Sequence, residues 1–477
     1  MKTYDKCYID GQWVAPIAST KFQLLNPATE TPFATVSLGG VADVDRAVSA
    51  ARRAFASFSN TSKAERIALL QRIVELMTAR EDEIEAAITE ELGTPRSVRI
   101  HAGAAIASFK QAIRTLKDYE FEAHLGGNIV RREPIGVCGL ITAWNWPLQL
   151  LATKYSMALA AGCTAVLKPS EFTPVSAILF AQVLHDAGVP KGVFKLVLGD
   201  GPTVGNAIAS HPDIDLVSFT GSTRAGILVA EAAAPSVKRV CQELGGKSAN
   251  VVLPDADLKT AASWNVARAF ANTGQSCHAP TRILVHKDQA DELLTLLCEE
   301  ASKVRVGDPQ NPATTMGPVV NKAQFERVQK YIHSGIEEGA RLACGGLSRP
   351  NGLQRGYFVK PTIFADVQPT MTIAQEEIFG PVLAVLPYST EQEAIEIANG
   401  TMYGLGAYVF SKDSQHGREV GRQLRAGRVF LNGKPSNTAA PMGGYKRSGN
   451  GREMGVFGLE EFLEVKAMIG FEEPVAA

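Results

Sequence analysis

From about residue 135 to 250, short runs that are apolar throughout alternate with stretches of helical period. They are GVCGLITAW (136–144), CTAVLKPS (163–170), VFKLVLGD (193–200), DLVSFTGS (215–222) and VKRVCQELGG (237–246). A strand with one wet face alternates apolar and polar residues, whereas a strand covered on both faces does not. Such runs, joined by helical segments, specify a parallel sheet with crossover helices on its faces. A second series follows: NVVLP (250–254), RILVHK (282–287), PTIFADV (361–367), VLAVLPY (382–388), AYVFS (407–411) and GRVFLNG (427–433). The expected fold is therefore α/β, with two doubly wound parallel-sheet domains. Residues 1–116 and 135–247 make the first, Rossmann-like one, and residues 248–455 the second. The segment 117–134 reads as a hairpin, and 456–477 ends in a strand-like piece near 465–473. Both leave the domain bodies and form a small β element. Helices are expected at 43–59, 61–92 and 258–271. In the second, Leu70, Ile73, Val74 and Met77 share a face that Ile84 and Ile88 continue, and Gly93 ends it.

A chain of 477 residues exceeds one simple core, which fits this division. Lys and Arg number 48 against 49 Asp and Glu, with no long basic run, so no nucleic-acid partner is expected. No stretch reaches the roughly 18 apolar residues that span a membrane. The N-terminal MKTYDKCYIDGQWVAP lacks the apolar core of a signal peptide. The 7 cysteines are scattered without a CxxC, and the 8 histidines include no HxxxH pair. Neither a disulfide framework nor a metal site is expected, and a reducing cytoplasm suits the chain.

Several stretches carry chemistry. FANTGQSCHAP (270–280) places Cys277 on a polar, Gly-containing turn between a helix and a strand. LGDGPTVG supplies Gly199, Gly201 and Gly205, one residue too long for the Rossmann fingerprint, and FTGSTRAG supplies Gly221 and Gly226 at a strand-to-helix junction. Helix N-termini bind phosphates, but tight turns need glycine too, so both readings stand. Lys168 and Glu171 follow a buried strand, where they hold ribose hydroxyls or form a solvated pair. Glu243 ends an apolar run before Gly245 and Gly246. A desolvated carboxyl there has a raised pKa and suits a general base, although a cap or ion pair is the plainer role. Asn145, between Trp144 and Trp146, offers an amide donor to an oxyanion or merely satisfies a turn.

Together with WNWP (144–147), KPSE (168–171), QELGGKS (242–248), EEIFGPV (376–382) and PMGGYKRSGNGRE (441–453), these stretches resemble the motifs of the aldehyde dehydrogenase superfamily in order and spacing. The resemblance runs from about residue 5 to 470. It implies NAD-dependent oxidation of an aldehyde to the free acid, with Cys277 as nucleophile, Asn145 as oxyanion donor and Glu243 as general base. Glu453 resembles the glutamate that passes protons to solvent. Lys168 and Glu171 are expected at the adenosine ribose, Ser222 at a phosphate and Glu377 at the nicotinamide ribose beside Phe379. Trp144, Gly201, Gly205, Gly221 and Leu244 complete the expected cofactor contacts. Trp146, Leu150, Ser276, His278 and Met442 are expected to line the aldehyde pocket. The resemblance also implies a homo-oligomer, a dimer or tetramer, bridged by the hairpin and the terminal strand.

The implied chemistry suits these residue types. A thiolate attacks the aldehyde, donors hold the oxyanion, and a base-activated water releases the acid from a thioester. Three rivals are weighed. An acyl-CoA-forming enzyme of this family would generally lack the base at Glu243. A cysteine hydrolase would need His278 as base, but adjacent residues point apart. A non-catalytic scaffold would not keep Cys277, Glu243 and Asn145 together. The loop 433–440 carries Lys434 and no arginine, so no carboxylate anchor is evident. An uncharged aliphatic or aromatic aldehyde is the expected substrate, with an acid-bearing semialdehyde as the alternative.

Overall fold

The computed structural model describes residues 1–471. The first series of apolar runs forms the middle of an eight-stranded sheet. Its order is Gly449–Asn450, Arg239–Glu243, Leu216–Thr220, Val137–Ile141, Thr164–Lys168, Phe194–Leu196, Cys7–Ile9 and Gln12–Val14. The five central strands are parallel. From Val137–Ile141 the chain adds two strands on one side, then returns to add two on the other. Strand order thus reverses between Val137–Ile141 and Leu216–Thr220, the kind of crevice in which open α/β sheets bind ligands. The helix Pro147–Ala161 covering this sheet is almost wholly buried, including Lys154.

The second series forms a seven-stranded sheet. Its order is Arg341–Cys344, Thr362–Ala365, Val382–Tyr388, Arg282–His286, Ala249–Val252, Gly406–Phe410 and Arg428–Leu431. All pairs are parallel except the first. Only residues 244–248 separate Glu243, the last residue of its strand, from Ala249, the first of the next. This short link sets the carboxyl edge of the first sheet against the amino edge of the second. Buried Arg282 fastens the link, donating to the carbonyls of Lys247 at 3.0 Å, Ile397 at 2.8 Å and Ala398 at 2.8 Å.

Five details differ from the sequence expectation. The stretch 61–92 is two helices, Lys63–Ala79 and Glu81–Leu92, with Arg80 out of helical geometry between them. Arg80 pairs with Asp186, and Glu81, Asp82 and Glu83 give the second helix an acidic first turn that favours a fresh N-terminus. The apolar stripe runs on across the break, which is why periodicity alone hides it. The hairpin starts late, because 117 and 118 still belong to the helix His101–Asp118. Its strands Glu122–Leu125 and Asn128–Pro134 join at Gly126 and Gly127, both left-handed as a two-residue turn requires. The terminal strand is Leu463–Met468, paired antiparallel with Asn128–Pro134. It begins and ends earlier than expected, and residues 472–473 lie outside the described residues. Finally, unforeseen N-terminal strands appear, including Thr20–Asn26 and Thr31–Leu38 in a separate three-stranded sheet. Gly449–Asn450 also crosses from the second series to cap the first sheet at Gln242 and Glu243. Among the described residues no helix is long and apolar enough to cross a membrane.

Candidate active site

Cys277 lies at the amino edge of the second sheet, on a turn that only unusual backbone geometry allows. Asn272, Thr273 and Gly274 have φ of 51°, 58° and 71°. A Cβ at Gly274 would sit 2.3 Å from the backbone of Gly380, so glycine alone fits there. Thr273 and Gln275 tie the strained turn to the neighbouring chain. Thr273 Oγ1 donates to Gly317 O at 3.1 Å, and Gln275 Oε1 accepts from Val320 N at 2.9 Å.

Asn145 comes from the opposite side, on the loop after Val137–Ile141. Its Nδ2 donates to Gln275 O at 3.0 Å, and Asn272 Nδ2 donates to Asn145 O at 2.7 Å. A side-chain amide has two N–H donors, so one remains to point elsewhere. Trp146 Nε1 donates to Ser276 Oγ at 3.0 Å, and its ring packs on His101 at 4.8 Å. Leu150 follows one turn along the helix, its N–H on Trp146 O. Trp146 and Ser276, the residue before Cys277, are thus joined directly. Met442 enters through its backbone, paired in both directions with Glu453.

Glu243 is 4 % exposed, and neither carboxylate oxygen has a hydrogen-bond partner among the described residues. Buried polar atoms are rarely left so. Burial raises its pKa well above the usual carboxylate range, and the charge of Glu453 adds to this. Glu453 itself pairs with Lys154, whose Nζ also donates to Ser218 Oγ at 2.9 Å. The Cys277 thiol is also pushed up, first by burial and then by the nearby carboxylates of Glu243 and Glu377.

The link 244–248 is lined by Glu377. Its Oε1 accepts from Gly246 N at 2.9 Å, and a Cβ at Gly245 would overlap its Oε2 at 2.4 Å. Burial lifts this carboxyl to about 7, while burial lowers the enclosed Lys247 amine to about 7. Phe379, at φ 63°, meets the Trp144 ring edge-on at 5.3 Å. Farther along the crevice, buried Lys168 stands 3.3 Å from Glu171. A Cβ at Gly205 would lie 3.8 Å from Lys168 Cδ, and one at Gly201 would meet nothing within 4 Å. Ser222 caps the helix Thr223–Ala233, with Gly221 ahead of it. Gly226 of that helix lies against Leu244 so closely that a Cβ would come within 2.6 Å. Free first-turn N–H groups, an open glycine turn and a lysine–glutamate pair along one edge fit the phosphates and ribose of a dinucleotide.

His278 departs from expectation. Its Nδ1 lies 3.8 Å from Cys277 Sγ, because the turn, unlike a strand, does not splay neighbouring side chains. Burial first, then Arg268 and Arg428, push its pKa down to about 3, so it is a poor base at neutral pH. Sequence reasoning missed Arg268, whose Nη2 is 3.0 Å from His278 Nε2. It missed Lys154 too, although a lone lysine inside an otherwise uncharged helix was a visible signal. The loop 433–440 has no arginine of its own but is held by one. Arg428 donates to Ser436 Oγ at 2.9 Å, Ala440 O at 2.7 Å and Pro441 O at 2.7 Å.

Residues 13–468 match the model of the aldehyde dehydrogenase family. A 3-succinoylsemialdehyde-pyridine dehydrogenase of a Pseudomonas species is 53% identical over 475 residues, 99% of this chain and 100% of the relative. Among solved structures, aldehyde dehydrogenase C of Pseudomonas syringae, a cysteine-to-alanine mutant complexed with NAD+ and octanal, superposes with a TM-score of 0.98. It is 52% identical and covers 99% of this chain and 98% of that one. An aldehyde dehydrogenase of Mycobacterium tuberculosis complexed with NAD+ gives a TM-score of 0.96 at 40% identity, over 99% of this chain and 100% of that one. With a fold, a family model and full-length relatives in agreement, the chain belongs to the aldehyde dehydrogenase family.

Proposed function

We propose that this protein oxidises an aldehyde to its carboxylic acid with NAD, through a thiohemiacetal and then a thioester on Cys277. The observation that carries this reading is the convergence, at the junction of the two sheets, of the Cys277 turn, the Asn145 amide and the buried Glu243 carboxyl, which has no partner among the described residues. The Cys277 sulfur attacks the aldehyde carbon. The spare Asn145 N–H and the backbone N–H of Cys277 receive the oxyanion. NAD, when bound in the crevice of the first sheet, supplies the hydride acceptor. Glu243, ionised, takes a proton from the water that splits the thioester, and Glu453 with Lys154 carries that proton outward. Because burial raises the Glu243 pKa, turnover limited by thioester hydrolysis rises with pH as that carboxyl ionises.

Residues 1–116 and 135–247 would form the cofactor domain and 248–455 the catalytic one. Lys168 and Glu171 would hold the adenosine ribose, Gly201, Gly205, Gly221 and Ser222 would admit the phosphates, and Glu377 would hold the nicotinamide ribose. Trp144, Leu244 and Phe379 would wall the ring. Trp146, Leu150, Ser276, His278 and Met442 would line the aldehyde pocket. The octanal bound to the Pseudomonas syringae relative supports an uncharged aldehyde. One observation favours an acid-bearing semialdehyde instead: Arg268 brings a guanidinium next to the His278 ring. A panel of aliphatic, aromatic and acid-bearing aldehydes ranked by kcat/KM separates the two, and a clear preference for succinic semialdehyde would refute the first. All seven cysteines are free, which suits a reducing cytoplasm.

The hairpin and the strand Leu463–Met468 would bridge subunits of a dimer or tetramer. Leu125, Val465, Ile469 and Phe471 are exposed large apolar side chains on that element. A chain ending near residue 460 should lose its oligomeric state in light scattering. Full retention would remove this role.

Cys277→Ala should abolish aldehyde oxidation while NAD still binds, as calorimetry can show. Asn145→Ala should lower kcat by about 10²–10³, the scale for one lost oxyanion donor. Turnover surviving the first change, or moving less than a few-fold with the second, would overturn the assigned roles.

Cofactor choice follows from Glu171. A 2′-phosphate beside that carboxylate would meet like-charge repulsion of roughly 4 kcal/mol per pair at ~4 Å and an effective dielectric of about 20. The Lys168 ion pair offsets part of it. A surviving quarter favours NAD about fivefold. Glu171→Ser should narrow the ratio of kcat/KM for NAD over NADP, chiefly by improving NADP. Equal use of NADP by the unaltered protein would show that Glu171 does not face the ribose.

A further inference from the structure

The His278 ring sits between Arg268 at one nitrogen and the Cys277 sulfur at the other. A guanidinium donates hydrogen bonds and accepts none. With Arg268 Nη2 at 3.0 Å, His278 Nε2 must therefore accept. A neutral imidazole that accepts at one nitrogen holds its hydrogen on the other. That other nitrogen, Nδ1, lies 3.8 Å from Cys277 Sγ. The ring stays neutral because it is buried and faces two cations, Arg268 and Arg428. Its backbone is fixed from the second sheet, where Tyr408 donates its hydroxyl to His278 O at 2.7 Å and stacks on Phe430 at 5.0 Å. Arg268 reaches the ring from the last turn of the helix Leu258–Phe270.

We propose that His278, locked in its Nδ1–H tautomer by Arg268, is a positioning residue that donates a hydrogen bond to the Cys277 sulfur, favouring the thiolate and fixing its direction. This rests on Cys277 being the nucleophile. It gives the turn a local donor where burial and the carboxylates of Glu243, Glu377 and Glu453 all oppose ionisation, while the Arg428 cation and the neutral Tyr408 hydroxyl complete the surroundings. The thiol proton goes to solvent and not to the ring, since a second proton on His278 would sit against two guanidinium groups. A hydrogen bond to a sulfur anion favours the charged form.

The test is the pH dependence of iodoacetamide alkylation of the full-length protein without NAD or aldehyde, followed by mass spectrometry of the Cys277 peptide. His278→Ala should move the midpoint up by about one pH unit and slow alkylation at neutral pH about tenfold. His278→Asn, whose amide N–H replaces Nδ1–H, should restore most of the rate. Should His278→Ala fail to fold, Arg268→Met against Arg268→Lys serves instead, because lysine still donates to Nε2. Arg268→Met should flatten or shift the profile, and Arg268→Lys should keep it. Profiles of His278→Ala, or of Arg268→Met, that superimpose on the unaltered protein would overturn the proposal. If the unaltered protein, alkylated at Cys277, still oxidises aldehydes, the nucleophile assignment itself fails, whatever the His278 variants do.

Discussion

The hydrogen bond from Asn145 Nδ2 to the carbonyl of Gln275 joins the two sheets at the point where the reacting groups meet. One partner follows the central strand of the first sheet, and the other precedes a central strand of the second. Asn272 closes the frame by donating back to Asn145 O. Because both sheets are buried on both faces, neither strand can slide without breaking its ladder, so this frame fixes the distance between the oxyanion donor and the sulfur. The link 244–248 does the same for Glu243, and Arg282 ties that link, through Lys247 O, to the carbonyls of Ile397 and Ala398. A buried guanidinium satisfied wholly by carbonyls is costly to disturb, since each carbonyl it leaves would lose its donor.

The electrostatics of the junction follow from the same burial. Glu243, Glu377 and the Cys277 thiol are all driven toward their neutral forms, and Lys247 is driven the same way from the opposite sign. Burial thus favours the uncharged form of each of these four groups. Two cations, Arg268 and Arg428, stand behind the sulfur and keep His278 neutral, so the cysteine has a donor next to it and no competing base.

Much of this was legible in the residues. All eleven apolar runs of the two series became strands, most of them buried along their whole length, as Val137–Ile141 and Thr164–Lys168 are, a burial that their apolar character reflects. Asn145 and Glu243 were ambiguous alone, and with Cys277 they stood out only together, through the order and spacing of motifs that resemble the family's. The strands Cys7–Ile9 and Gln12–Val14 were not legible, since they are too short to show a period and are held by edge pairing, the first on Phe194–Leu196 and the second on the first. The break at Arg80 was hidden because the buried face continues through it. The contact of His278 with its own neighbour was misjudged because alternation holds for strands, and this stretch is a turn built on left-handed residues. Arg268 carried no signal at all: ten residues before His278, it is brought near only by the fold.

The central claim is that Glu243 serves deacylation and not attack. It is tested most directly by mixing Glu243→Gln with aldehyde and NAD, then measuring intact mass and the mass of the Cys277 peptide alongside absorbance of reduced nicotinamide. The expected result is one equivalent of reduced cofactor per site, an acyl adduct on Cys277 of the aldehyde's mass less two hydrogens, and little further turnover. Undiminished steady turnover with no adduct on Cys277 would contradict it.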